Sequence, residues 1–149
     1  MEGNDLSNEI APKLVFVFDG LVGRVPDEDA RLAEKYRKRR KWDLLARVYE
    51  VDTQMGAHLW DIVWRSRFSF DIVSFESADE RWRDSLERLL DRANVPYSRL
   101  ETYDDPNDFA QHMVYAPNIL RVYHGRSDWW AKFGDKGDLI IDAAVFELR

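Results

Sequence analysis

Three residues stand where an α/β protein most readily does chemistry: Asp19, Ser74 and His124 each close, or nearly close, a short apolar run. Asp19 follows Leu14-Val15-Phe16-Val17-Phe18 and precedes Gly20; Ser74 lies in FDIVSF; His124-Gly125 ends ILRVY. A β-branched and aromatic run stopped by a turn pair has the form of a buried parallel strand. Open parallel sheets bind ligands at the carboxyl ends of their strands. A carboxylate there can attack an electrophile or move a proton, and an imidazole can act as acid or base near neutral pH. The plainer alternatives are that Asp19 only begins a turn and that His124 is a hydrogen-bonded loop residue. Other chemistries find no support. His58, His112 and His124 lack metal-ligand spacing, and no phosphate loop, Gly-rich dinucleotide loop or serine elbow occurs. Cysteine is absent, which removes disulfides, thiolate nucleophiles and zinc-cysteine sites and fits a reducing compartment.

The elements that must position these residues alternate. Strands are predicted over 14–18, 70–75, 100–103, 119–123 and 139–141, with 144–146 as an apolar continuation of the last. Helical segments over about 28–50 follow Pro26-Asp27 and break within the basic cluster. They carry Leu32, Ala33, Tyr36, Leu44, Leu45 and Val48. Thr53 is the expected N-cap of a further helix with an apolar face of Met55, Leu59, Ile62 and Val63. Trp60 and Trp64 lie alongside, read as core or helix–helix packing. Ser77 to Glu80 has the form of a capping box before a helix carrying Trp82, Leu86, Leu89 and Leu90, which stops near Asn94. Asp105-Pro106 opens a short helix to about Met113, and capping explains the Asp104-Asp105 pair. Ser127 caps DWWAKF, ending at Gly134. Strand–helix alternation from residue 68 onward implies βαβ units and a parallel sheet covered on both faces.

The 149 residues suit one domain with a sizeable core. Residues 1–12 read as a flexible tail, 13–149 as a single domain, and 26–67 as an all-helical insert after strand one. A net charge of −6 argues against broad electrostatic binding to nucleic acid. The local exception is Lys35, Arg37, Lys38, Arg39, Arg40 and Lys41, either the solvated face of a helix or an anion-binding patch. Six Trp, six Tyr and eight Phe make a high aromatic content, and such residues either anchor a core or make contact surfaces. Trp129 and Trp130 are adjacent on one short helix, so one of them is expected to be exposed as a protein contact or base-stacking platform. No apolar run approaches a membrane span, and the acidic N-terminus lacks the signal-peptide pattern; a cytoplasmic location is expected.

This order resembles the haloacid dehalogenase (HAD) superfamily of phosphatases and their relatives, over residues 14–24 and 68–142. The family's opening strand ends in Asp-x-Asp-Gly, matched here by Val17-Phe18-Asp19-Gly20. Its second strand ends in Ser or Thr, matched by Ser74. Its fourth strand ends in acidic residues, where this chain has His124-Gly125. Val95 to Leu100 and Phe133 to Gly137 look like connecting segments of family members. The resemblance implies a three-layer Rossmannoid α/β fold with a parallel sheet. It also implies that the first Asp would be the nucleophile and that magnesium would sit on the first Asp and the fourth strand's acids. Val17 cannot attack phosphorus, and imidazole is a poor magnesium ligand.

The implied function is therefore that of a non-catalytic member that binds a partner protein or a ligand, suited to a phage or mobile-element accessory role, with no cofactor. Asp19, Gly20, Ser74, His124 and Gly125 would line the old site. Trp129, Trp130, Arg37, Lys38, Arg39 and Arg40 would meet a partner. Two alternatives stay open. One is a magnesium-dependent phosphatase or nucleotidase using Asp19, which would then be the metal ligand. The other is a nucleic-acid-binding module using segment 35–41.

Overall fold

The computed structural model describes residues 13–65, 69–113, 119–124 and 140–142. The strands are β1 (Lys13–Val17), β2 (Gly23–Arg24), β3 (Glu50–Val51), β4 (Ser69–Ser74), β5 (Arg99–Thr102), β6 (Ile119–His124) and β7 (Ile140–Asp142). The helices are α1 (Ala30–Lys38), α2 (Trp42–Val48), α3 (Thr53–Arg65), α4 (Glu80–Arg92) and α5 (Pro106–Met113), with a 3-10 turn at Asp27–Asp29. Five strands form one sheet in the order β5-β4-β1-β6-β7, every pair parallel. This is the expected three-layer α/β architecture. The chain builds outward from β1 through β4 and β5, then crosses to β6 and β7. The point where that direction reverses lies between β1 and β6, where ligand crevices form in such sheets.

Alternation along β1 explains the two layers. Leu14, Phe16 and Phe18 enter a core shared with α1, α2, α3 and α4. Val15 and Val17 point to the other face, against Val73, Phe75, Val122 and Phe109 of α5. Phe16 stacks on Tyr123 at 4.9 Å and meets the edge of Phe70 at 5.5 Å. On α4, Trp82, Leu86 and Leu90 recur every four residues and are fully buried. Each such side chain contributes about 1.5–3 kcal/mol of apolar burial. The helix ends where Asn94 takes a φ of 57° and Val95 N–H reaches back to the Leu90 carbonyl at 3.0 Å. Asparagine tolerates that left-handed position.

Strand bounds fall within a residue of expectation, but several local readings need correction. The segment 26–67 is not all helical: Glu50–Val51 pairs antiparallel with Gly23–Arg24. Two-residue strands carry no periodicity to read. The cap of α4 is Asp79, whose carboxylate accepts the Arg81 N–H at 2.8 Å, while Ser77 accepts from Asp79 N–H at 3.0 Å. Asp52, not Thr53, caps α3 by accepting from Met55 N–H at 3.0 Å. Of the two α3 tryptophans, Trp60 is half-buried and meets the turn after α4 rather than a helix, its indole donating to the Asn94 carbonyl at 2.7 Å. Trp64 is 79% exposed, because the buried face is Met55, Gly56 and Leu59 and the helix's last turn runs past the core; Val63 is exposed with it. Leu32 is exposed as well. The expected helix at 127–134 and the tail 1–12 lie outside the described residues.

The turn after β1 is tightly built. The Phe18 carbonyl accepts from Leu21, Val22 and Gly23 N–H groups. A Cβ on Gly23 would come within 2.5 Å of the Phe18 ring, which is fully buried. We expect Gly23→Ala to cost about 1–3 kcal/mol, as overpacking of a closed core does. A urea titration measures it, and an unchanged midpoint would show that the ring moves freely.

Candidate functional site

Asp19 stands just beyond β1 and Ser74 ends β4, the strand beside it. The structure brings the two together: Ser74 Oγ donates to Asp19 Oδ1 at 2.8 Å. The Phe75 backbone N–H donates to Asp19 Oδ2 in a short hydrogen bond. The register Val17 with Val73 makes this possible, since it sets both residues at the same level of the sheet's carboxyl edge. Ser74 is wholly enclosed, and its hydroxyl is fully used. Besides donating to Asp19, it accepts from Trp82 Nε1 at 3.0 Å and from Glu76 N–H at 3.3 Å.

Asp19 is half-buried as a residue, yet its carboxyl group is enclosed. That enclosure is the largest influence on its proton. Burial raises the pKa from 3.8 to about 7, against the lowering effect of the Phe75 and Ser74 hydrogen bonds. The nearby Glu76 raises it further and Arg37 lowers it. Glu76 is itself raised by burial, opposed by Arg37. Arg37 Nε donates to Glu76 Oε1 at 2.7 Å, and its Nη1 reaches Glu34 at 2.6 Å. Tyr49 lies beside it, its phenol held far above its usual range by burial and then by the negative charges of Asp19 and Glu76, with Arg37 opposing them.

Arg37, Glu76, Tyr49 and Trp82 are the members that sequence reading did not assign to this site. Arg37 was legible only as one cation among six. Its distance of 39 residues from Glu76 hides the pairing. Glu76 follows Ser74 by two residues, a proximity that could have drawn attention to it.

The remaining expected site residues fare differently. Gly20 forms the turn rather than lining a cavity. Its φ of 94° requires glycine, and its N–H is spent on the Gly23 carbonyl at 2.8 Å. His124 closes β6 and is completely buried, so it presents no surface to a ligand. Gly125, Trp129 and Trp130 lie outside the described residues. Arg37 is half-buried and turned toward Glu76, while Lys38, Arg39 and Arg40 are exposed. Among the described residues no three His, Asp or Glu side chains gather as a metal-ligand set. No helix of the described residues is long and apolar enough to cross a membrane.

The edge is thus a hydrogen-bonded cage around one carboxyl group. It can hold or release a proton near neutral pH. Each carboxyl oxygen accepts one hydrogen bond, from Ser74 or from Phe75, which fixes the group in a single orientation at the edge.

The fold and this edge define a Rossmann-like α/β protein. No family model matches the chain, and no curated protein matches it. Among solved structures, a chain in the structure of the Pnkp1/Rnl/Hen1 RNA repair complex superposes with a TM-score of 0.56 at 12% identity. The match covers 89% of this chain and 42% of that one, so this chain spans less than half of its neighbour's length. At that identity the likeness is one of fold.

Proposed function

We propose that this chain is a non-catalytic protein of haloacid dehalogenase type that acts by binding a partner protein. The observation that carries this reading is Val17. It occupies the position where the resemblance needs a nucleophilic carboxylate, and its side chain is completely buried in the apolar layer under α5. The state of Asp19 supports the same reading, because Ser74 and Phe75 fix its carboxyl group as a brace between β1 and β4. A fold neighbour that belongs to an RNA repair complex is in keeping with a role among partners. Partner contacts would involve Trp129 and Trp130, joined by Trp64 and Val63, which expose apolar surface at the end of α3.

A second reading has one observation in its favour. A carboxyl group with a pKa of about 7 suits a general acid or base. In that reading Asp19 serves a magnesium-dependent phosphatase with an unusual ligand set.

Thermal unfolding with and without millimolar magnesium and beryllofluoride separates the two. We expect no change of midpoint and no turnover of a phosphomonoester. A ligand at a hundred times its dissociation constant would raise the midpoint by roughly 5–10 °C for a chain of this size. A rise of that order, lost in Asp19→Ala, would overturn the non-catalytic reading in favour of the phosphatase.

A further inference from the structure

Away from Asp19, a groove of about 520 Å³ runs between the α1–α2 turn, α2 and α4. Arg40, Lys41 and Arg47 line one side and Arg81 and Arg88 the other. A smaller hollow shares Asp43, Arg47 and Arg88 with it and adds Arg92. Helical spacing aligns Arg81, Asp84, Arg88 and Arg92 as one stripe along α4, at steps of three and four residues. The cations come from three separate elements, which is why the sequence showed only the run 35–41.

Few of these charges are neutralised locally. Arg81 pairs with Asp79 and Arg88 with Asp43, at 2.8 and 3.0 Å. Asp43 also accepts from Ser85 Oγ at 2.6 Å, so it serves to fasten α2 to α4. Among the described residues Arg40, Lys41, Arg47 and Arg92 form no ion pair. Against Asp43, Asp79 and Asp84, the six cations leave an excess of three positive charges. They do so on a chain of net charge −6.

Arg40 supplies a second observation. Its N–H bonds to the Arg37 carbonyl and that of Lys41 to Tyr36, the pair of bonds that ends a helix on a left-handed residue. That position favours glycine, yet arginine holds it with a φ of 55°. Backbone strain retained in this way accumulates at functional sites. Here it sets a guanidinium at the mouth of the groove.

We propose that this groove binds the phosphodiester backbone of a nucleic acid, with Arg40, Lys41, Arg47 and Arg92 as phosphate ligands. Five of the six cations are arginines, whose planar fork matches phosphate oxygens. The concavity excludes a flat bilayer. Protein interfaces are anchored by aromatic side chains seated in a partner's pocket, but the groove's one aromatic, Trp42, is buried and donates to Asp79 at 3.2 Å. The inference does not depend on Asp19 or on the non-catalytic reading.

Fluorescence anisotropy with a short, labelled, mixed-sequence RNA or DNA strand tests it on the full chain. Four neutralised phosphates give a log–log salt slope of about −3, so affinity should fall roughly 50-fold between about 50 and 200 mM salt. Arg40→Gly should weaken binding several-fold while leaving the unfolding midpoint unchanged or higher, because glycine relieves the turn. Arg47→Ala should weaken it similarly. Arg31→Ala removes one charge, as each of these variants does, from an exposed position outside the groove and should bind as the wild type does. The proposal is overturned by no binding at the lower salt, or by equal weakening in that control. It is also overturned if poly-glutamate or phosphatidylserine vesicles bind as tightly as the strand.

Discussion

Trp82→Ala will unfold at a midpoint on the order of 10 °C below the wild type, a loss of about 3–5 kcal/mol. Trp82 is completely buried and is the largest fully enclosed side chain among the described residues. Its ring lies 6.2 Å from that of Trp42 and 5.8 Å from that of Tyr49, so truncation opens a cavity between α2, α4 and the chain entering β3. The loss does not stop at packing. The indole N–H is one of two donors to Ser74 Oγ, and Ser74 in turn holds Asp19. Trp82→Phe separates these effects, because it keeps most of the ring and removes the donor. It should cost about 1 kcal/mol. Circular dichroism followed through a urea titration measures both variants without relying on tryptophan fluorescence. A loss below about 1 kcal/mol in the alanine variant would mean that the helix collapses onto the space, contrary to a rigid support behind Ser74.

The parallel sheet was legible because its strands are short apolar runs bounded by turn pairs, and because α4 repeats Trp82, Leu86 and Leu90 at helical spacing. Asp19 and Ser74 were legible for the same reason: each ends a recognisable strand, and parallel order brings strand ends together. What was not legible depends on pairing across distance. The ion pair of Arg37 with Glu76 joins α1 to the end of β4, and no local pattern marks it. The cap of α4 was misplaced because Ser77 and Asp79 both have capping side chains. Only the extended backbone at Asp79, with ψ of 131°, decides between them. Trp64 was misread because periodicity says which residues share a face, not where the core ends. The cationic groove required α2 and α4 to be set side by side, which composition cannot do.

The other large effect concerns the proton on Asp19. Between about pH 4 and pH 8 the wild type should lose stability that Asp19→Ala does not lose. In the folded protein the pKa is about 7, against an ordinary 3.8. Across that window the folded state therefore keeps a proton that the unfolded chain has released. Raising the pH then favours unfolding. The contribution is fully present below the unfolded value, declines as pH rises, and is gone above the folded value. A gap of about three pKa units corresponds to roughly 4 kcal/mol. Glu76 is shifted in the same direction, while Asp43 and Asp79 are shifted the opposite way by their hydrogen bonds to Ser85 and Arg81. Asp43 and Asp79 cancel in the difference between the two stability curves, which reports Asp19 together with its coupling to Glu76. Urea unfolding at several pH values supplies both curves. Parallel curves would mean that Asp19 titrates in the folded state as it does in the unfolded chain and is charged through most of the window, its burial compensated by Ser74 and Phe75. A charged carboxylate at the sheet's edge is what a cation needs, so that result would count toward the phosphatase reading. Converging curves, with the wild type losing its advantage toward pH 8, would leave Asp19 as a proton-holding brace between β1 and β4.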